Sequence, residues 1–225
     1  MSDLVSFGDL ARATYCPRQL YYARRDDDRA PPPAVDEAKE LAFQYPELRD
    51  ASDAKLRDLP VAVAPESYRA ALGRLAARDD WDALTDPTRR DTLLTGKDCR
   101  GVAHKLLDPS GADDPPVPVL VSPGTPPERG VWEPQTVKAV AAAKALSWER
   151  EREIPTALVE YPTHGVVRTV RLTTRKKAVY RTALRTVRGL DGPPPRLRGS
   201  DKCDSCDYRS QCGVKTRSLR SLLGL

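Results

Sequence analysis

VPVLV, residues 117–121, is a run of five apolar residues with turn chemistry on both sides: DPSGADDPP (108–116) before it and SPGTPPERG (122–130) after it. So short and uniformly apolar a run predicts a buried central strand, covered on both faces by the rest of the chain. Upstream, CRGVAHKLL (99–107) carries apolar residues and the β-branched Val102, and predicts a second strand. Downstream, QTVKAVAAAKALSWERE (135–151) is the clearest helix in the chain, with Val137, Val140, Ala141, Leu146 and Trp148 set among alanines. TALVEYP and VVRTVRL flank Thr163-His164-Gly165 and predict a β-hairpin. TTRKKAVYRTALRTVRGL (173–190) is helical, and GPPP (192–195) ends it.

The N-terminal side has a different character. Residues 2–25 predict a helical segment, with Ser2 or Asp3 as cap and Leu4, Phe7, Leu10 and Ala11 at helical spacing. Pro17 breaks that helix, and RQLYYARR begins another. DDDRAPPPAVD (26–36) is a charged, proline-rich loop. From about residue 36 to 77 helical patterns dominate between Pro46, Pro60 and Pro65, and β signals begin near residue 92. Helices, two strands, a helix, two strands and a helix predict an α/β sandwich around a central mixed sheet.

Of the 225 residues 40% are hydrophobic and 31% charged, as in a soluble globular protein. MSDLVSFGDLARATYCPRQL is amphipathic and lacks the apolar core of a signal peptide, and no segment approaches membrane-span length. A cytoplasmic protein without a membrane partner is expected. Residues 165–225 hold 15 Lys+Arg against 4 Asp+Glu, whereas the first 164 hold 22 against 28. Such a split points the basic end toward a polyanion.

Within the 173–190 helix, Val179, Ala183, Val187 and Leu190 form one apolar stripe. Lys177, Arg181, Arg185 and Arg188 follow the same spacing two residues earlier, about 200° around the axis. Four cations on one solvent-facing stripe, with no acidic partner at i+4, predict a contact with a nucleic-acid backbone.

Three of five cysteines lie in DKCDSCDYRSQCG (201–213), as Cys203-x2-Cys206-x5-Cys212. In a reducing compartment this spacing favours metal ligation over disulfides. A tetrahedral zinc and an iron–sulfur cluster both call for four ligands. Cys16, Cys99, His104 and His164 are the candidates for the fourth. Cys16, in TYCPRQLYY, has a following proline with aromatic and basic neighbours, and is favoured; Cys99 also reads as core filling. A ligand from the N-terminus would staple the two ends of the chain together.

Cys16-Pro17-Arg18-Gln19-Leu20-Tyr21-Tyr22, together with Cys203-x2-Cys206-Asp207-Tyr208-Arg209-x2-Cys212, resembles the CRISPR-associated Cas-four family. These are RecB-like exonucleases of the PD-(D/E)XK restriction-endonuclease-like fold that carry a [4Fe–4S] cluster. The resemblance implies that Cys16, Cys203, Cys206 and Cys212 ligate the cluster and that Cys99 is a bystander. It also implies one Cas-four-like domain over 1–225. Its parts are N-terminal helices with the first cluster cysteine (1–35), a helical insertion (36–95), a nuclease-like α/β core (96–190) and a cluster-binding tail (191–225).

Such nucleases place carboxylates around Mg²⁺ or Mn²⁺ and a lysine beside the attacking water. Where the family has G-x-x-D, this chain has Gly101-Val102-Ala103-His104, and Pro118 to Gly124 puts Leu120 at the Glu and Ser122 at the Lys. Gln135 of the core motif is retained, while the tyrosine expected four residues later is Ala139. Leucine cannot bind Mg²⁺ and serine carries no positive charge, so the resemblance implies a degenerate catalytic site on a retained fold. The expected function is DNA binding, with DNA ahead of RNA, in DNA processing or CRISPR adaptation beside other CRISPR or repair proteins. The cluster would present Arg209, Lys215, Arg217 and Arg220 to a nucleic-acid backbone. The alternatives are a metal-dependent single-stranded DNA exonuclease with a site rebuilt from Asp98, Asp108, Asp113, Asp114, Glu128 or Glu133, and a zinc-binding structural module.

Overall fold

The computed structural model describes residues 4–26, 33–108, 111, 114–197, 201–204 and 206–213. It is an α/β architecture with one mixed six-stranded sheet. Strand β3 (Cys99–Leu107) organises the sheet. One of its edges pairs antiparallel with β2 (Arg89–Thr95). The other edge is shared: β1 (Val5–Ser6) lies parallel beside Cys99 and Arg100, and β4 (Val117–Val121) antiparallel beside Lys105 to Leu107. The sheet continues through β5 (Thr156–Tyr161), parallel to β4, and ends at β6 (Val166–Arg171), antiparallel to β5.

The predicted central strand is therefore β4, with Val119, Leu120 and Val121 all buried. Its alternation splits them between two cores. Leu120 joins α1 (Phe7–Tyr15), α8 (Glu133–Arg150) and α9 (Thr174–Arg188) on one face, while Val119 and Val121 join α3 (Pro33–Leu41), α4 (Tyr45–Arg49), α6 (Pro65–Ala76) and α7 (Trp81–Thr85) on the other. Between α4 and α6 lies the short α5 (Asp53–Arg57), and between α1 and α3 lies α2 (Pro17–Ala23). The alanines of α8 explain how it comes so close to the sheet: Ala139, Ala141, Ala142, Ala143 and Ala145 are all buried. Gly101 serves the same end, because a Cβ there would run into the Phe7 ring of α1.

Two readings of the sequence need revision. The stretch 36–95 read as a helical insertion contains strand β2, which begins at Arg89; as an edge strand it exposes most of its residues and so lacks the apolar signal of a core strand. The N-terminal helix starts at Phe7, with the Ser6 hydroxyl accepting from the Asp9 N–H at 2.9 Å, and the residues before it form β1. The proposed caps Ser2 and Asp3 lie outside the described residues. The hairpin is as expected, β5 and β6 being joined by a 3₁₀ turn over Pro162–His164 that Gly165 closes at φ 61°.

A buried ion pair went unforeseen. Lys105 on β3 and Glu160 on β5 meet at 3.0 Å on the α3–α7 face, both fully buried. The ammonium also donates to the carbonyls of Ala42 and Leu84, each at 2.7 Å, and the Tyr45 hydroxyl donates to Glu160 at 2.8 Å. Burial pulls the lysine pKa down and lifts that of the carboxyl, and their mutual attraction opposes both shifts. Lys105→Met leaves a buried carboxyl with one phenol for company and should destabilise the protein by about 3–5 kcal/mol in urea unfolding. Lys105→Met with Glu160→Met should recover at least half of that loss.

Candidate cysteine centre and sheet cleft

Cys16 stands at the joint between two helices, and its neighbour Pro17 sets the geometry. A residue before proline is pushed out of the helical region, and Cys16 is extended at φ −161°, ψ 112°. Proline at the first helical position then starts α2 without losing a hydrogen bond. The Cys16 N–H still closes α1 on the Arg12 carbonyl at 2.8 Å, and its own carbonyl accepts from the Leu20 N–H at 3.2 Å. The thiol is left at the junction of the two helix ends.

The tail meets it there. A chain of tight turns links its three cysteines: the Cys206 N–H donates to the Cys203 carbonyl, that of Arg209 to Cys206, and that of Cys212 to Tyr208. Cys16, Cys203, Cys206 and Cys212 line one cavity, and all four are half-buried. Burial pushes the Cys203 thiol pKa up, and the nearby Cys16, Cys206 and Cys212 push it further. The Arg18 guanidinium lines the same cavity. Among the described residues, no group of three or more His, Cys, Asp or Glu side chains is arranged to hold a metal ion.

Aromatic and basic residues of the Tyr-Cys-Pro-Arg-Gln-Leu-Tyr-Tyr segment hold the tail in place. The Tyr15 hydroxyl donates to the Lys202 carbonyl at 3.3 Å, and the Lys202 ammonium returns to the Tyr15 carbonyl at 3.2 Å. Tyr22 stacks on Tyr208 with centroids 5.9 Å apart, and Arg18 donates to the Pro194 carbonyl at 2.6 Å. These contacts are mostly polar and exposed, and so contribute little individually. Of the other candidate ligands, Cys99 is buried in the core against Tyr180, whose hydroxyl is 3.4 Å from its sulfur. His164 bonds to Thr163 at the hairpin turn. His104 lies on β3.

His104, Leu120, Ser122 and Gln135 gather at a second place, where the shared edge of β3 is split between β1 and β4. Residues 101–104 have no strand partner on that edge. The imidazole of His104 fills part of the gap, its Nδ1 accepting the Val121 N–H at 3.0 Å. Leu120, Ser122 and Gln135 line a small adjoining cleft, together with Lys138 of α8. Burial lowers the His104 pKa to about 4, and the Lys138 charge adds to that effect. The ring is thus a neutral acceptor clasping two strands. Sequence reasoning missed Lys138, although it follows Gln135 at i+3 and shares its helix face.

The acids offered for a rebuilt nuclease site lie elsewhere. Asp98 pairs with Arg188 at 2.9 Å and Asp108 with Arg89 at 3.9 Å. Asp114, Glu128 and Glu133 are exposed, and Asp113 is outside the described residues. The basic helix is also less bare than its sequence implied. Arg188 has Asp98, and Lys177 has Glu153 at 3.5 Å, because acidic partners arrive from other elements. Arg181 and Arg185 are exposed, and the buried stripe is Tyr180, Ala183, Leu184 and Val187. Arg209 pairs with Asp204 at 3.2 Å; Lys215, Arg217 and Arg220 lie outside the described residues.

No protein-family model matches this chain, and no curated protein matches it either.

The histidine clasp has a measurable signature. The folded state holds His104 neutral down to about pH 4, whereas the unfolded chain takes up its proton near 6.5. Its contribution is therefore complete above pH 6.5 and is lost as pH falls toward 4, by roughly 2–3 kcal/mol. His104→Asn keeps an acceptor for Val121 but cannot titrate. The difference in unfolding free energy between wild type and variant should slope with pH across that window and be flat above it.

Proposed function

We propose that this chain is a Cas-four-like, RecB-type nuclease scaffold that holds a [4Fe–4S] cluster and binds nucleic acid, DNA ahead of RNA, without cleaving it. The carrying observation is that cysteines almost two hundred positions apart, Cys16 with Cys203, Cys206 and Cys212, line one cavity. The donor set suits such a cluster: four sulfurs, from a chain whose other cysteine is spent in the core. Cationic neighbours suit it too, since Arg18 and Lys202 line the same cavity and would offset the negative charge of four thiolates. When bound, the cluster supplies covalent iron–thiolate links that tie the tail to the joint of α1 and α2. Zinc would need the four sulfurs drawn to about 3.8 Å of one another around one ion.

The order of elements supports the nuclease scaffold: a helix, the antiparallel strands β2, β3 and β4, a helix, then β5 parallel to β4. At the split edge, where the family holds its metal, this chain has His104, Leu120 and Ser122. His104 there binds a backbone N–H and Leu120 packs into the core. Exposed Arg181 and Arg185 on α9 and Arg209 on the tail would meet the nucleic-acid backbone. The protein would work in the cytoplasm with CRISPR-adaptation or DNA-repair partners.

Anaerobic purification with iron and sulfide analysis, followed by binding and nuclease assays on the same sample, tests this reading. Roughly four irons and four sulfides per chain are expected, with salt-sensitive DNA binding and no cleavage in Mn²⁺. Zinc in place of iron would support the structural-module alternative. Mn²⁺-dependent degradation of single-stranded DNA would support the exonuclease. Cys16→Ala should lose the iron and leave residues 191–197 more open to protease, whereas Cys99→Ala should keep its iron.

A further inference from the structure

We propose that the cleft at the split in the sheet binds a phosphate group directly, without a divalent cation, with Lys138 as its cationic anchor and Gln135 and Ser122 as hydrogen-bonding partners. The proposal deepens the nucleic-acid part of the function above by naming where a phosphate sits, and it does not depend on the cysteine centre.

The first observation is an unpaired cation. Among the described residues, the Lys138 ammonium makes no ion pair or hydrogen bond. The half-buried Lys138 lines the cleft with Ser122 and Gln135. Its nearest influential charge is a second cation, Arg12 of α1. Burial and that guanidinium both push the lysine pKa below its ordinary value, so an anion in the cleft would be stabilising. The acid nearest His104, Asp91, is already held by Lys39 at 2.8 Å.

The second observation is an unmet polar atom. Gln135 Oε1 is buried and has no hydrogen-bond partner. Such an atom is costly unless a ligand completes it. Turning the amide over exchanges its oxygen for an N–H₂ group, and a rotation of the side chain would bring that group to an anion in the cleft that Gln135 lines. The Ser122 hydroxyl can turn in the same way. A cavity of about 80 Å³ has room for a group of phosphate size. A nuclease would meet a phosphate through carboxylate-held metal; here the cleft contains a positive side chain and no carboxylate, so the anion can dock on protein donors alone.

The test is thermal unfolding of the full chain in divalent-free buffer, with inorganic phosphate replacing chloride at constant ionic strength. The unfolding temperature should rise with phosphate and saturate. Lys138→Met should abolish that rise, while its unfolding temperature without phosphate is equal to or above that of wild type, because an unpaired charge has been removed. Gln135→Leu should weaken phosphate binding about tenfold. Oligothymidylates with and without a 5′-phosphate identify the source. A tighter phosphorylated oligomer marks a terminal phosphate, equal binding of both that Lys138→Met weakens marks an internal phosphodiester, and stabilisation by inorganic phosphate alone marks the free ion. Iron content measured on every variant separates failure here from failure of the cysteine centre. The proposal is overturned if phosphate does not stabilise wild type, or stabilises Lys138→Met and Gln135→Leu equally well.

Discussion

A cysteine held extended by the proline after it, at the joint of two short helices, is the constraint on which this molecule turns. Pro17 leaves Cys16 little choice of backbone and starts α2 one residue later. The same joint places Tyr15, Arg18 and Tyr22 around the thiol, each with a contact to the tail or its linker. The tail has no strand, no long helix and few buried side chains among its described residues. Hydrogen bonds and one stacked tyrosine pair cannot order such a segment strongly against its chain entropy. Four thiols facing one cavity would do so if they bound the inorganic group proposed above.

Both hydrophobic cores of the described chain are built from residues outside the tail. The sheet is covered on both faces, by α1, α8 and α9 on one side and α3 to α7 on the other. The split along β3 is the exception to this regularity. Phe7 presses on Gly101 at one end of the gap, and His104 reaches across to β4 at the other. A nuclease would use such a gap to hold metal between carboxylates. In this chain the same ground is occupied by a neutral imidazole, a leucine and a serine, beside a lysine without a counter-ion. A cleft lined by a lysine and no carboxylate would attract an anion, not a divalent cation.

Much of this was legible in the sequence, for reasons that can be named. VPVLV is apolar on both faces because β4 is buried on both, and the alanines of α8 announce close packing on a sheet. Strand β2 was hidden because an edge strand with one buried residue carries almost no periodic signal. Lys105 and Glu160 were invisible as partners because strand order, not sequence distance, brings β3 and β5 to the two sides of β4. The pairing of Arg188 and Lys177 was missed for the same reason: helical spacing reports neighbours on one element and none from the next. The cysteine spacing singled out three of the four thiols that meet, and the Cys-Pro dipeptide supplied the fourth. Lys138 escaped notice because a lone lysine in an alanine-rich helix reads as solvated until its surroundings are known.

X-ray absorption at the iron and zinc edges of anaerobically purified protein tests the central claim most directly. The account predicts an iron edge whose scattering shows both sulfur and iron neighbours, and which disappears in Cys16→Ala. A zinc edge with sulfur neighbours alone, or iron that survives the loss of Cys16, would contradict it.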